Sequence, residues 1–388
     1  MLDGIQTFRK VNFSAAVSLM VALLAFGTSA CAASFIVTNP PSTQKVLPDI
    51  GEARPGSGDA GPRADIFRIA MARGAYEPVQ IVVQALDRPL RRVRVSVSSL
   101  VGPNGSVLPE EQVTVNPLGS VKCTKQSLRS RLLTDRGGQV PDVLLPDRPM
   151  DIPKSHRQSF FVTVRTLRSD QSGEYHGKVR ISAAGEKARE GPLVVRVYDV
   201  VLPVKSHLRT AFGLDTSYRK IQGAHPGQDM DSLLRYSKIM LEHRISPCVY
   251  GNGYENTKVP PRIAKDRTWD LSGMDRYLSE LVPLGLTSFY TFAGAGVQVY
   301  ANYLKEREWY DLAYVYMYDE ASMKQLPTMR SQYSNMRHFV PDANIMQVGW
   351  SPTNPLQGLV DMWCPTVDAA DTHALQKARE RGEEAWWY

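Results

Sequence analysis

The feature that most constrains this chain is a change in the spacing of its apolar residues close to Pro203. From Ser34 to about Lys205 the runs FIVTN, IFRIAMA, PVQIVVQAL, RRVRVSVSSL, VTVNPL, SFFVTVRTL, GKVRISAAG and PLVVRVYDVVLP alternate apolar and polar residues and are broken by Gly, Pro and Asn. Successive strand side chains point to opposite faces, so a period of two punctuated by turn residues predicts an antiparallel β-sandwich. Asp59–Pro62 and the polar, Pro-rich stretch from Thr134 to Pro153 read as loops. No nucleophile or metal cluster lies on these strands.

After Pro203 extended runs alternate with helical ones: TAFGLD, helix MDSLLRYSKIMLEHR, ISPCVYG, helix MDRYLSELVPLG, LTSFYTF, helix VYANYLKEREWYD, LAYVYMYDE, helix SMKQLPTMRSQYSNMRHF, ANIMQVGWS, VDMWCPTV, helix ALQKARERG and EEAWWY. Strands separated by helices make βαβ units and a parallel sheet. Seven such strands can be counted, whereas a closed barrel of this kind has eight and runs to about 250 residues. The expected fold is therefore a β-sandwich at 34–205, followed at 206–388 by an α/β (β/α)8-type TIM barrel that is incomplete at its C-terminus. The missing unit would leave an open edge of unpaired backbone.

At the N-terminus Arg9 and Lys10 precede the apolar run Ala15–Gly27 and then the small residues TSACAA, the order of a secretory signal over 1–33. An exported protein is expected, periplasmic, cell-surface or secreted. The apolar run is shorter than the roughly 20 residues that span a bilayer, so no transmembrane helix is expected in the mature chain. Ala30-Cys31-Ala32 reads as a signal-peptidase site, and Thr28–Cys31 as an imperfect lipoprotein box that would place a lipid anchor on Cys31. The remaining Cys123, Cys248 and Cys364 form neither a CxxC metal motif nor a disulfide framework. The net charge of +7 would suit an anionic partner, but the basic residues are scattered (Arg88, Arg91, Arg92 and Arg94; Arg129 and Arg131; Lys377, Arg379 and Arg381), so nucleic-acid binding is not expected. His243 and His373 lack partners at metal spacing, and there is no HExxH, GxSxG, Walker loop or dinucleotide fingerprint. Neither a metal nor a cofactor is expected.

An ordered set of segments resembles glycoside hydrolase family 123, in which a sandwich precedes a (β/α)8 catalytic domain. These are MARGAYEPVQIVV (Met71 to Val83), PDVLLPD (Pro141 to Asp147) and SGEYHGKVRI (Ser172 to Ile181), then AFGLD, LEHRIS, YLKEREWYDLAYVYMYDEA, VDMWCP and RGEEAWWY. The resemblance covers nearly all of the mature chain. It implies a retaining glycosidase that removes terminal β-linked N-acetylgalactosamine, or another N-acetylhexosamine, from a glycan with the help of the substrate's own acetamido group.

Asp319 and Glu320 close the run YVYMYDEA, and in α/β barrels catalytic groups lie at such C-terminal strand ends. When a 2-acetamido carbonyl attacks the anomeric carbon, the enzyme needs no carboxylate nucleophile. It needs one carboxylate to orient the acetamide and stabilise the charge on its nitrogen, and an acid beside it to protonate the leaving oxygen. By the resemblance Asp319 matches the first role and Glu320 the second. Glu320 has to carry its proton near neutral pH, which the charge of Asp319 and the wall of Tyr314, Tyr316 and Tyr318 would favour. A competing reading is that both acids cap the following helix.

Further substrate-binding candidates each have a plain alternative. Asp215 could contact a sugar hydroxyl or make a turn; Arg244 could bind a polar substituent or pair with a carboxylate. Tyr318, Trp350, Trp363, Trp386 and Trp387 could line the cleft and stack on a sugar ring or pack in the barrel core. Two rival functions stand beside the first: a non-catalytic glycan-binding or surface-structural protein, and a glycosidase whose nucleophile is Asp215 or Asp368.

Overall fold

The computed structural model describes residues 34–49, 64–123, 138–214, 230–249, 259, 262–263, 268–291 and 296–388. The signal segment with Cys31, the loop Asp59–Pro62, the pair Arg129 and Arg131, and Asp215 lie outside the described residues. The chain divides into two compact units, Met1–Leu202 and Pro203–Tyr388.

The first unit is built from strands β1 (Phe35–Thr38), β2 (Phe67–Arg73), β3 (Tyr76–Ala85), β4 (Leu90–Val97), β5 (Leu100–Val101), β6 (Val107–Leu108), β7 (Val113–Cys123), β8 (Gly138–Leu144), β9 (Met150–Ile152), β10 (Arg157–Arg165), β11 (Gly173–Ser182) and β12 (Arg189–Val201). They form a five-stranded sheet in the order β1-β3-β10-β7-β8 and a seven-stranded one with the path β2-β12-β11-β4-β9. Neighbours are antiparallel except β2 and β12, which run parallel. Every second residue of both sheets enters a single core: Val79, Ile81 and Val83 from β3 and Phe160, Val162 and Val164 from β10 meet Val93 and Val95 from β4 and Leu193, Val195 and Val197 from β12. Fully burying such a side chain contributes about 1.5–3 kcal/mol, which is what makes the alternating pattern decisive.

One expectation fails here. The stretch from Thr134 to Pro153, read as a loop, supplies both β8 and β9. Each is an edge strand, β8 against β7 and β9 against β4, and Pro141 lies where the β7–β8 register shifts. An edge tolerates a proline, which has no N–H to give to a ladder, and an edge strand with one wet face carries little apolar signal.

In the second unit β13 (Phe212–Gly213) is followed by α1 (Met230–Glu242), β14 (Pro247–Cys248), a small hairpin of β15 (Arg262–Ile263) and β16 (Trp269–Asp270), α2 (Ser272–Leu281), β17 (Phe289–Thr291), α3 (Val297–Glu306), β18 (Ala313–Tyr316), α4 (Leu326–Phe339), β19 (Ile345–Val348), β20 (Met362–Cys364), α5 (Thr372–Glu380) and β21 (Glu384–Ala385). A strand forms in each of the seven segments expected from the sequence, and their hydrogen bonds divide them into a parallel pair, β13-β14, and a parallel five-stranded sheet, β17-β18-β19-β20-β21. Together they make a half-barrel of curled sheet. The antiparallel hairpin β15-β16 had no counterpart in the sequence reading.

Alternation sorts the residues of this sheet into two layers. Tyr314, Met346, Val348, Met362 and Cys364 cluster on one face with Cys248, flanked by Tyr290, Tyr316 and Trp386. Val315, Ile345 and Trp363 face the other way, onto Val297 and Ala301 of α3, Met329, Tyr333 and Met336 of α4, and Leu375 and Ala378 of α5. No helix among the described residues is long and apolar enough to cross a membrane.

Candidate active site

The regular pleat of β18 ends at Tyr316, and the chain then turns through Met317 to Ala321 before a 3₁₀ turn, Met323–Gln325, leads into α4. Asp319 and Glu320 sit in that turn, both exposed. Among the described residues neither carboxylate has a cationic partner within ion-pair distance. Their neighbours are phenols. The Tyr316 hydroxyl donates to Asp319 Oδ1 at 2.6 Å. The charge on the nearby Glu320, with that of Asp319 adding to it, raises the Tyr388 phenol above its ordinary range. Tyr388 thus lies beside both acids.

The capping alternative is answered by the residues that follow. The backbone N–H of Ser322 donates to Gln325 Oε1 at 2.9 Å, the N–H of Gln325 donates to Ser322 O at 2.9 Å, and Pro327 stands in the first turn of α4. The entry to the helix is therefore organised by Ser322 and Gln325. The two acids make no capping bond there.

Glu320 has φ of 42°, in the left-handed region that a side chain with a Cβ rarely adopts. Such a conformation costs of order 1–3 kcal/mol and persists only where surrounding contacts impose it. The facing residue is Gly349, also left-handed at φ 83°; a Cβ built on it would lie 3.1 Å from Glu320 Cα. The turn after β18 and the turn after β19 thus approach closely, and a Cβ at Gly349 would require the Glu320 backbone to give by a few tenths of an ångström, at a left-handed φ that favours glycine.

The other candidates separate clearly. Trp350 is half-buried and donates its indole N–H to the carbonyl of Ala321 at 2.7 Å, which holds it against the same turn. Trp386 lies half-buried against the Tyr290–Tyr314 side of the sheet, its ring 6.1 Å from that of Tyr314 and its N–H 2.8 Å from Glu384 Oε2. Trp387 is 59% exposed after β21, next to Tyr388. Three expectations need correction or fall away. Trp363 is fully buried in the helix-facing layer with its N–H on Glu383 Oε2 at 2.7 Å, because its position in β20 has the opposite parity to Met362 and Cys364; it has no ring face left for a sugar. Tyr318, taken to line the cleft, turns instead onto α4, its hydroxyl donating to Gln332 Oε1 at 3.0 Å and its ring edge-on to Tyr333, since the pleat has ended two residues before it. Arg244 has φ of 62° just after α1 and donates to Pro203 O at 3.1 Å, which sets it before β14, at the opposite end of the strands from Asp319 and Glu320. Asp368 is exposed on a 3₁₀ turn after β20.

Tyr388 and Gly349 were not picked out as site residues from the sequence. The spacing of three between Tyr316 and Asp319 is a local signal that could have been used; nothing local links Tyr388 to Glu320, and a glycine after a strand is too common to be informative. Among the described residues no group of three or more His, Cys, Asp or Glu side chains could hold a metal ion.

No family model matches this chain, and no curated protein matches it in sequence. Its structure is similar to that of a family 123 glycoside hydrolase from Clostridium perfringens, with a TM-score of 0.67 and 14% identity over 92% of this chain and 72% of that one. The fold is that of a family 123 glycoside hydrolase. Two further glycosidases superpose only slightly, and no argument rests on them: a family 39 enzyme from Bacteroides cellulosilyticus, with a TM-score of 0.27 and 9% identity over 76% of this chain and 55% of that one, and a family 5 xyloglucanase from Bacteroides ovatus, with a TM-score of 0.25 and 8% identity over 78% and 70%.

Proposed function

We propose that this chain is a retaining glycosidase that releases terminal β-linked N-acetylhexosamine, N-acetylgalactosamine foremost, by substrate-assisted catalysis outside the cytoplasm. The observation that carries the reading is the adjacent pair Asp319 and Glu320 at the C-terminal end of β18, the first held by the Tyr316 phenol and neither with a described cationic partner, in a chain with a glycosidase fold. In this reading the two-sheet unit is the sandwich of the family and the curled sheet is part of a (β/α)8-type barrel.

Asp319, oriented by Tyr316, would accept the acetamide N–H and stabilise the positive charge that grows there as the acetamide carbonyl attacks the anomeric carbon. Glu320 would protonate the departing oxygen and then take a proton from the water that opens the oxazoline. Two inversions at one carbon retain its configuration. Trp387 has an open ring that would suit the C–H face of a sugar. The glycolipid glycans hydrolysed by the Clostridium perfringens protein suggest lipid-linked glycans as the natural class to try. Residues 1–33 would direct export, with Cys31 as the acylation site if a lipid anchor is added.

The test is cleavage of an aryl β-N-acetylgalactosaminide together with inhibition by the corresponding thiazoline. Turnover with micromolar inhibition is expected. A protein that binds N-acetylhexosamine glycans but releases no aryl alcohol is instead a binding protein, and turnover insensitive to thiazoline points to a carboxylate nucleophile.

A further inference from the structure

Glu320 is left-handed, and the residues that hold it so come from another strand. Beyond the end of β19 the N–H of Gly349 donates to Cys364 O at 2.8 Å, tying that turn to β20. So anchored, Gly349 presents its bare Cα to Glu320: a Cβ at this position would stand 3.1 Å from Glu320 Cα, 3.4 Å from its Cγ and 3.6 Å from its Cβ. One residue later, the Trp350 indole donates to Ala321 O at 2.7 Å, fixing the peptide that leaves Glu320, while Ala321 itself is buried under α4. Tyr388, three residues beyond β21, lies close enough for the Glu320 charge to act on its phenol. The Glu320 backbone is thereby gripped on both sides by a neighbouring strand that carries no acid of its own.

We propose that Gly349 and Trp350 form a positioning pair, which acts through Glu320 by imposing the left-handed turn that aims its carboxyl group. The inference rests on the reading of Glu320 as proton donor. It gives Trp350 a role different from sugar stacking: its indole N–H is engaged by backbone, and its ring packs against the helix-facing layer.

Trp350→Phe keeps an aromatic ring, though a smaller one, and removes the donor. In its crystal structure Glu320 is expected to relax to negative φ and to lose its contact with Tyr388. A Glu320 that stays left-handed with that contact intact overturns the inference, whether or not the protein cleaves any substrate. On an aryl β-N-acetylgalactosaminide, kcat of Trp350→Phe should fall by about a hundredfold with KM within about twofold, since a misplacement near 1 Å costs on that order. Unchanged kcat with a raised KM would instead make Trp350 a sugar platform and also overturn it. Gly349→Ala, which pushes the Glu320 backbone aside without removing a hydrogen bond, should shift kcat in the same direction. If the parent protein shows no turnover, the proposed function fails while the crystallographic readout still decides this inference.

Discussion

The two ends of the parallel sheet handle charge in opposite ways. At the N-terminal end two acids are matched: Asp361, just before β20, accepts from the Arg337 guanidinium and, at 2.7 Å, from the N–H of Ile345, and Glu384 pairs with Arg209 at 2.6 Å. Arg337 also donates to the carbonyls of Pro341 and Ala343, and Arg244 to that of Pro203. These bonds stitch helix ends and incoming chain to strand starts. At the C-terminal end Asp319 and Glu320 stand side by side, Asp319 bonded to the Tyr316 hydroxyl and Glu320, on a strained backbone, close to the Tyr388 phenol. The same residue type therefore braces the fold where a cation neutralises it and stays exposed where none does. Adjacent exposed acids without a described counter-charge repel one another, which is why the pair contrasts with the neutralised acids at the other end.

The contrast is broken most directly by swapping outcomes at its two ends. Glu320→Gln should lower kcat by about two to four orders of magnitude, the range for loss of a general acid, with an unfolding midpoint equal to or above that of the parent, measured by urea denaturation beside steady-state kinetics. A loss of stability without loss of turnover would reverse the assignment. Asp361→Asn should do the converse: about 2 kcal/mol of stability lost, as a charge-assisted pair with Arg337 disappears, and kcat of the folded fraction preserved.

A finer test uses the buried floor of the upper end. Burial pushes the Cys364 thiol from 9.0 up to about 11. The unfolded chain loses this proton first, so the contribution is intact below pH 9, declines by at most about 1.4 kcal/mol per pH unit as pH rises from 9 to 11, and is lost above that. Cys364→Val should flatten that decline in urea midpoints recorded across the range. The smallest effect is expected at the rim: Trp387→Ala should raise KM about fivefold, the equivalent of about 1 kcal/mol of ring stacking, with little change in kcat.

How far the residues announce all this depends on the range of the interactions involved. Strands β3, β10, β11 and β12 are legible because alternation records which face is buried, and a buried face must be apolar whatever lies across from it. The helices α1 to α5 are legible for the same reason at a period of 3.6. β8 and β9 are not, because an edge strand with polar faces and a proline obeys hydrogen bonding without displaying a pattern. Asp319 and Glu320 stand out through their place at a strand end. Their partners do not: Tyr388 is remote in sequence and meets Glu320 only once β21 has been laid beside β20. The fate of Trp363, Trp350 and Trp386 was equally open, since a tryptophan looks the same in a sequence whether it packs under a helix, pins a carbonyl or lies against a tyrosine.

Local spacing of apolar residues alone determined that this chain makes an antiparallel part and a parallel αβ part, and where the acid pair falls on the second. Tertiary structure alone decided which aromatic rings are spent in the core, that Ser322 and Gln325 rather than the acids organise the helix entry, and that Gly349 and Trp350 close on Glu320. The division has one physical cause. Burial is imposed on each segment by its own side chains, whereas left-handed turns, phenol–carboxylate contacts and backbone approaches at van der Waals distance exist only between segments that the fold has already brought together.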